Sequence, residues 1–329
     1  MSHSGPGTAG KGRKMGWIVW ILVIAAVLVA IVFGVWRWAM ASQSVALLDR
    51  ADALFTGSAA EVSGPLPFGP AAEQELVVAR PAGEGTGRPV VVFIHGGSWS
   101  HGRASEYAFV ARNLAARGFV GVSAGYRLVP GGEYPAMLQD GAAAVRWVVD
   151  NIARHGGDPR RIVLMGHSAG GYNAVMLALD PRWLEQAGVT HDRIRGAIGL
   201  AGPYDFLPLD SPGTIAAFGN APSLEATQPV NFARAGAPAL LLLTGSDDTT
   251  VRPRNSKALA RAMTAAGSPA EAVVVPGMSH VGILLAMSRP FEGEGTVKKA
   301  VFDFLARTTA SSARPSPADS SGDIQALRR

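Results

Sequence analysis

The stretch Ile162-Val163-Leu164-Met165-Gly166-His167-Ser168-Ala169-Gly170-Gly171 decides the fold of this chain. Its apolar opening, with β-branched Ile162 and Val163, reads as a buried strand. The strand breaks at a turn in which Gly166 and Gly170 flank Ser168, and residues 172–179 continue as an apolar helix. A G-x-S-x-G pentapeptide between strand and helix is the turn that lifts a nucleophilic hydroxyl off the edge of a parallel sheet. Glycines are needed there because the turn is strained and its neighbours crowd the serine. The pentapeptide alone carries little weight; its strand–turn–helix setting makes it specific.

Outward from this turn, strand and helix patterns alternate. Strands are expected at 75–79, 89–94, 119–124, 161–165, 194–200, 239–243 and 272–275, and helices at 106–117, 134–155, 169–179, 253–266 and 297–306. Runs such as Val90-Val91-Val92-Phe93-Ile94 show no polar alternation, as expected of strands covered on both faces. The expectation is an α/β body with a mostly parallel sheet and helices on both faces. A Pro/Gly-rich insertion at 203–236 is long for a connection and is expected to line the site as a small cap.

The chain has 329 residues, 48% of them apolar, which is ample for a large core. Its net charge of +5 comes from Lys11, Arg13, Lys14 and Arg37 and from a one-charge excess in the C-terminal tail, leaving the body near neutral. The high basicity therefore gives no case for nucleic-acid binding. The absence of cysteine excludes disulfides, thiolate metal sites and a cysteine nucleophile.

Residues 17–36 carry no charge; as a helix they would be about 30 Å long, the thickness of a bilayer core. Trp17 and Trp20 stand at one end, Trp36 and Trp38 at the other, and Lys11, Arg13 and Lys14 precede the run. This pattern predicts a transmembrane anchor at 15–38, with the N-terminus in the cytoplasm and the body on the outer side. A cleaved signal peptide ending at Ala39-Met40-Ala41 is the rival reading, and the length of the apolar run favours the anchor. Residues 1–14 are expected to be a disordered cytoplasmic tail, 39–72 a helical stalk and linker, 73–308 the catalytic domain and 309–329 a disordered tail. Gly5 to Lys11 mimics a phosphate-binding loop, but Gly12 stands where Ser or Thr is required and no strand precedes it.

Further motifs follow in order along the body: His95-Gly96-Gly97-Ser98-Trp99, Tyr126-Arg127-Leu128-Val129-Pro130 with Tyr134-Pro135-Ala136, Gly245-Ser246-Asp247-Asp248-Thr249-Thr250-Val251 and Met278-Ser279-His280. With the serine turn, they resemble the α/β-hydrolase superfamily over residues 73–306. Within it, the likeness is to the esterase/lipase group that includes hormone-sensitive-lipase-like, feruloyl-esterase-like and arylformamidase-like hydrolases. Ser98 departs from the common H-G-G-G form, and the H-G-G-x-W variant it creates resembles the arylformamidase-like and feruloyl-esterase-like members.

A serine hydroxyl needs an adjacent base, and this fold orders its residues Ser, acid, His. His280, in a Gly-x-x-His loop after the last strand, is the expected base. His3, His101, His155 and His191 lie in polar or helix-end segments, His167 is expected to point elsewhere on its turn, and the resemblance implies that His95 braces the glycine loop. The spacing G-x-x-D-x-x-V selects Asp248 as the acid over Asp247, with Asp205 a distant third. Ala169 supplies one backbone amide for an oxyanion hole, and the resemblance adds Gly96 and Gly97. Trp99 and Ser98 are expected at the substrate pocket, with a packing role open for Trp99, while Tyr126 and Arg127 are expected to stabilise the fold.

The expected protein is a membrane-anchored serine hydrolase cleaving carboxylic esters of short to medium acyl length, needing no metal or organic cofactor. Its partners are an ester substrate and the lipid bilayer, not nucleic acid. Aryl-formamide, other amide or peptide hydrolysis would use the same triad and is the alternative. A non-enzymatic anchored binding protein fits poorly with a complete set of such residues.

Overall fold

In the computed structural model, which describes residues 17, 19–27, 45–291, 293 and 295–310, eight strands among the described residues form one sheet. They are β1 (Ala60–Pro67), β2 (Glu75–Pro81), β3 (Arg88–Ile94), β4 (Val120–Ala124), β5 (Gly157–His167), β6 (Ile194–Leu200), β7 (Ala239–Gly245) and β8 (Ala270–Val275). The strand order is β1-β2-β4-β3-β5-β6-β7-β8. β1 and β2 pair antiparallel with their neighbours, and from β4 to β8 every pairing is parallel.

The apolar strands lack polar alternation because both faces are covered. In β3, Val90, Val92 and Ile94 join the main core cluster, while Val91 and Phe93 point to the opposite face and are equally buried. The helices α1 (Val45–Thr56), α2 (Ala108–Ala115), α3 (Ala136–Asn151), α4 (Ala169–Leu179) and α5 (Arg182–Gln186) precede α6 (Pro212–Phe218), α7 (Arg254–Ala265), α8 (His280–Leu285) and α9 (Thr296–Thr309). Leu138 and Val145 of α3, Val175 of α4 and Leu259 and Met263 of α7 pack in that main cluster. On the other face, a Cβ at Gly121 would stand 2.5 Å from Ala111 O of α2, and one at Gly196 would stand 2.9 Å from Phe304 of α9. Small residues there let the helices press onto the sheet.

The chain divides into two units, residues 1–51 and 52–329. In the first, Trp17 and residues 19–27 are helical and exposed, and most of the expected anchor lies outside the described residues. Among the described residues no helix is long and apolar enough to cross a membrane. The expected tail at 1–14 also lies outside the described residues, as does all of the C-terminal tail after Ala310.

Residues 60–67, expected within the linker, are instead the edge strand of the sheet. Just before them, the buried Asp52 carboxylate accepts hydrogen bonds from Asn113 Nδ2 (2.9 Å), the Arg289 amide (2.7 Å) and Thr56 Oγ1 (3.0 Å), with Arg112 at 3.5 Å. These contacts hold the start of the second unit against α2 and the loop after α8. The insertion at 203–236 folds as α6 and two short 3₁₀ turns; Ser211 caps α6 by accepting from the Thr214 amide at 3.2 Å.

Candidate active site

Ser168 stands between the C-terminal end of β5 and the start of α4, with φ 53° and ψ −120°. A non-glycine residue held there stores roughly 1–3 kcal/mol of strain. Neighbouring backbone bonds maintain it: the Ser168 amide donates to Leu200 O at 2.8 Å, and Ser168 O accepts from the Tyr172 amide at 3.1 Å. The two glycines of the pentapeptide answer to crowding. A Cβ on Gly166 would lie 2.1 Å from Gly170 O, and one on Gly170 would lie 2.0 Å from Ile94 O.

His280 arrives from the other side of the sheet's C-terminal edge as the first residue of α8, whose N-cap Ser279 accepts from the Gly282 amide at 3.2 Å. Its Nδ1 meets Asp248 Oδ2 at 2.8 Å and its Nε2 meets Ser168 Oγ at 2.9 Å. The carboxylate can only accept, so Nδ1 carries the proton and Nε2 is left to accept from the serine hydroxyl. This is the tautomer a base for Ser168 requires. The second Asp248 oxygen accepts from the amides of Thr250 (2.9 Å) and Val251 (2.8 Å), and the carboxylate is fully buried. Those two amides are the physical content of the spacing to Val251. Asp247 is exposed and takes its bond from Ser246, and Asp205 packs by its amide on Asn255, so neither meets the imidazole.

The glycine loop lies directly against the serine. A Cβ on Gly96 would be 3.2 Å from the Ser168 Cβ, and one on Gly97, whose φ is +112°, would be 2.1 Å from His101 O. Gly97 O accepts from the Ser100 and His101 amides, both at 3.0 Å, and Ser98 and Trp99 continue the turn with φ of 50° and 58°. Ala169 opens α4, so its amide belongs to the unpaired first turn of the helix. Gly96 and Ala169 thus flank Ser168, with Gly97 next in the loop. Backbone donors so placed can hold a developing negative oxygen.

Of the two roles open for Trp99, its surroundings favour packing. Its indole is 3% exposed, meets Tyr172 and Phe218 edge-on, and donates from Nε1 to Asn173 Oδ1 at 3.2 Å. It packs the loop onto α4 and is no solvent-facing wall. Ser98 is exposed, beside Gly213 of α6, where a Cβ would be 3.0 Å from the serine Cβ. The insertion therefore reaches the rim of the site.

Behind the loop, the His95 ring stacks between Tyr107 and Tyr126 at 5.4 and 4.7 Å, and its Nδ1–H donates to Gly96 O at 2.8 Å. Burial pushes its pKa down from 6.5 to about 4, so the brace is neutral. Tyr126 donates to His95 O at 3.2 Å. Arg127 grips the buried Asp140 through its amide and guanidinium at 2.7–2.8 Å, and Gln74 Nε2 completes the carboxylate at 2.8 Å. Both residues are structural. His167, expected to point elsewhere, is buried with its ring 4.9 Å from that of His280. Nothing in the local sequence pattern signals this contact, because its partner lies 113 residues away.

Residues 76–263 match the BD-FAE family. The chain is 29% identical over 221 residues to isoprenylcysteine alpha-carbonyl methylesterase ICME of Arabidopsis thaliana, covering 60% of this chain and 51% of that protein. It is 28% identical over 270 residues to esterase LipQ of Mycobacterium tuberculosis, covering 73% and 61%. The chain thus spans about half the length of the first of these relatives and less than two thirds of the second. An inhibited esterase B of Lactobacillus rhamnosis shares the fold with a TM-score of 0.67 at 23% identity, over 85% of this chain and 97% of that one. Since the family match takes in more than half of the residues, the chain belongs to the BD-FAE family of feruloyl-esterase-like α/β-hydrolases.

Proposed function

We propose that this protein is a serine hydrolase of carboxylic esters, held at a membrane by its N-terminal apolar segment. Ser168 Oγ attacks the ester carbonyl as His280 Nε2 takes its proton, and Asp248 stabilises the imidazolium. The amides of Ala169, Gly96 and Gly97 hold the oxyanion. His280 then protonates the leaving alcohol, and water removes the acyl group by the same route. The observation that carries the reading is the unbroken hydrogen-bonded chain from Ser168 Oγ through His280 to Asp248, at 2.9 and 2.8 Å. The esterase names of the relatives favour esters over amides. The exposed Ser98 rim and the small insertion favour short to medium acyl groups. Uncharged residues 17–36, with cations before them, support an anchor that leaves the body on the outer side.

The test is turnover of a nitrophenyl ester series and of aryl-formamides by the full chain in detergent. Ser168→Ala should lower ester kcat by at least about 10³-fold without changing the melting temperature. Ester turnover surviving in that variant rules the assignment out. An alkaline phosphatase reporter fused after Arg329 should be active, and a silent reporter would contradict the topology.

A further inference from the structure

His167 precedes the nucleophile, yet its side chain belongs to the far side of the site. Its ring is buried at the end of β5. Nε2 lies 3.0 Å from the main-chain carbonyl oxygen of His280. A carbonyl only accepts, so Nε2 carries a proton and the ring has a fixed tautomer. The other edge of the ring faces the glycine loop, where a Cβ on Gly96 would stand 3.1 Å from Nδ1. One imidazole thus touches the main chain of the base on one side and the first glycine of the loop on the other.

We propose that His167 is a positioning residue that sets the distance of the His280 base from Ser168 and Gly96 by holding the His280 carbonyl. The proposal rests on the triad reading above. His280 reaches the site on a six-residue helix, and helices this short have little stability of their own. Its imidazole must nevertheless stay within hydrogen-bond reach of both Asp248 and Ser168. The bond from His167 ties that helix's first residue to the strand that also carries the nucleophile. Base and nucleophile are then referenced to the same strand.

The donor must also remain neutral. When His280 takes the serine proton, a second imidazolium with its centroid 4.9 Å away would oppose it. Burial first, and the neighbouring His280 second, push the pKa of His167 down to about 3. The ring therefore donates through Nε2–H without competing for the proton.

Two variants and one spectrum test this in the full chain. His167→Leu removes the donor, and kcat for a nitrophenyl ester should fall by about tenfold or more with KM within about twofold. His167→Gln keeps an N–H that can reach the same carbonyl and should restore kcat to within about threefold of the parent. If both variants lose kcat equally, or if Leu leaves kcat unchanged while Ser168→Ala is inactive, the positioning role is wrong and the triad stands. If Ser168→Ala remains active, the triad reading itself has failed. Nitrogen-detected NMR of the parent reads the tautomer whether or not the leucine variant folds. It should show His167 neutral and protonated on Nε2 at pH 5, and an Nδ1–H or cationic ring there overturns the proposal.

Discussion

Gly245 and Met278 approach so closely that a Cβ on residue 245 would lie 1.9 Å from Met278 O. The same carbonyl accepts from the Asp247 amide at 3.0 Å, and Ser246 Oγ accepts from the Gly277 amide at 2.8 Å. The loop carrying Asp248 is therefore docked on the loop carrying His280, two residues before the imidazole. Glycine at 245 is a distance requirement, since its φ is not in the left-handed region. Gly245→Ala should push the loops apart. We expect a loss of about 1–3 kcal/mol in stability by urea unfolding, and a fall in kcat of about tenfold or more. A variant with parental kcat would show that the close approach is not needed to seat the imidazole.

Asp248 keeps His280 in one tautomer because its carboxylate has only lone pairs to offer. In Asp248→Asn, the Thr250 and Val251 amides hold the side-chain oxygen and turn the new NH₂ toward His280 Nδ1. The ring then presents its Nε2–H to Ser168 and cannot accept a proton. We expect kcat to fall by about 10³–10⁴-fold with a small change in KM. A fall of less than about tenfold would remove Asp248 from the mechanism, whereas Asp247→Asn should leave kcat within about twofold.

The parts of this site that are legible in the sequence share one property: short-range backbone geometry sets their spacing. Ser168 sits between glycines that would otherwise meet Gly170 O and Ile94 O, and Asp248 precedes the two amides that hold it. The buried strands are legible because two covered faces need uninterrupted apolar residues. β1 is not, since it is a largely exposed edge whose short alternation of Ala60 and Val62 with Glu61 and Ser63 is cut by Gly64 and Pro65, and its register shifts between Ser63 and Leu66. Only pairing with β2 makes it a strand. The packing of Trp99 and the placement of the His167 ring are not legible for a related reason. Their surroundings come from α4, the insertion and α8, at separations along the chain that no local pattern encodes.

Trp99 holds a left-handed backbone that a bulky residue disfavours by roughly 1–2 kcal/mol. Three contacts keep it there: Nε1–H to Asn173, Trp99 O accepting from the Val129 amide at 2.8 Å, and edge-on packing with Phe218 at 4.8 Å. Since Gly96 and Gly97 lie just before it, loosening Trp99 should misplace the proposed oxyanion donors. Asn173→Leu, which removes the acceptor inside a buried helix, should lower kcat by about 3- to 30-fold with little change in KM. A substrate-pocket role for Trp99 predicts the reverse pattern, with KM rising and kcat kept.

Acid should unfold this protein partly through two histidines. Burial lowers His95 from 6.5 to about 4, and burial with the nearby His280 lowers His167 from 6.5 to about 3. In the unfolded chain both titrate near 6.5, so below that pH the unfolded state binds more protons than the folded one. Their contribution is complete above about pH 6.5 and is lost progressively as the pH falls toward their folded values. A tenfold weaker hold on the proton corresponds to about 1.4 kcal/mol, so the full loss is on the order of 3 kcal/mol for His95 and 5 kcal/mol for His167. The pair should therefore contribute a slope approaching two protons to the decline of urea unfolding free energies measured from pH 7 to 4.5, to which the burial-lowered His155 and His191 add. His167→Gln should reduce that slope by about one proton, because glutamine does not titrate. An unchanged slope in this variant would mean that His167 is protonated in the folded protein, and a neutral donor to the His280 carbonyl would then be untenable.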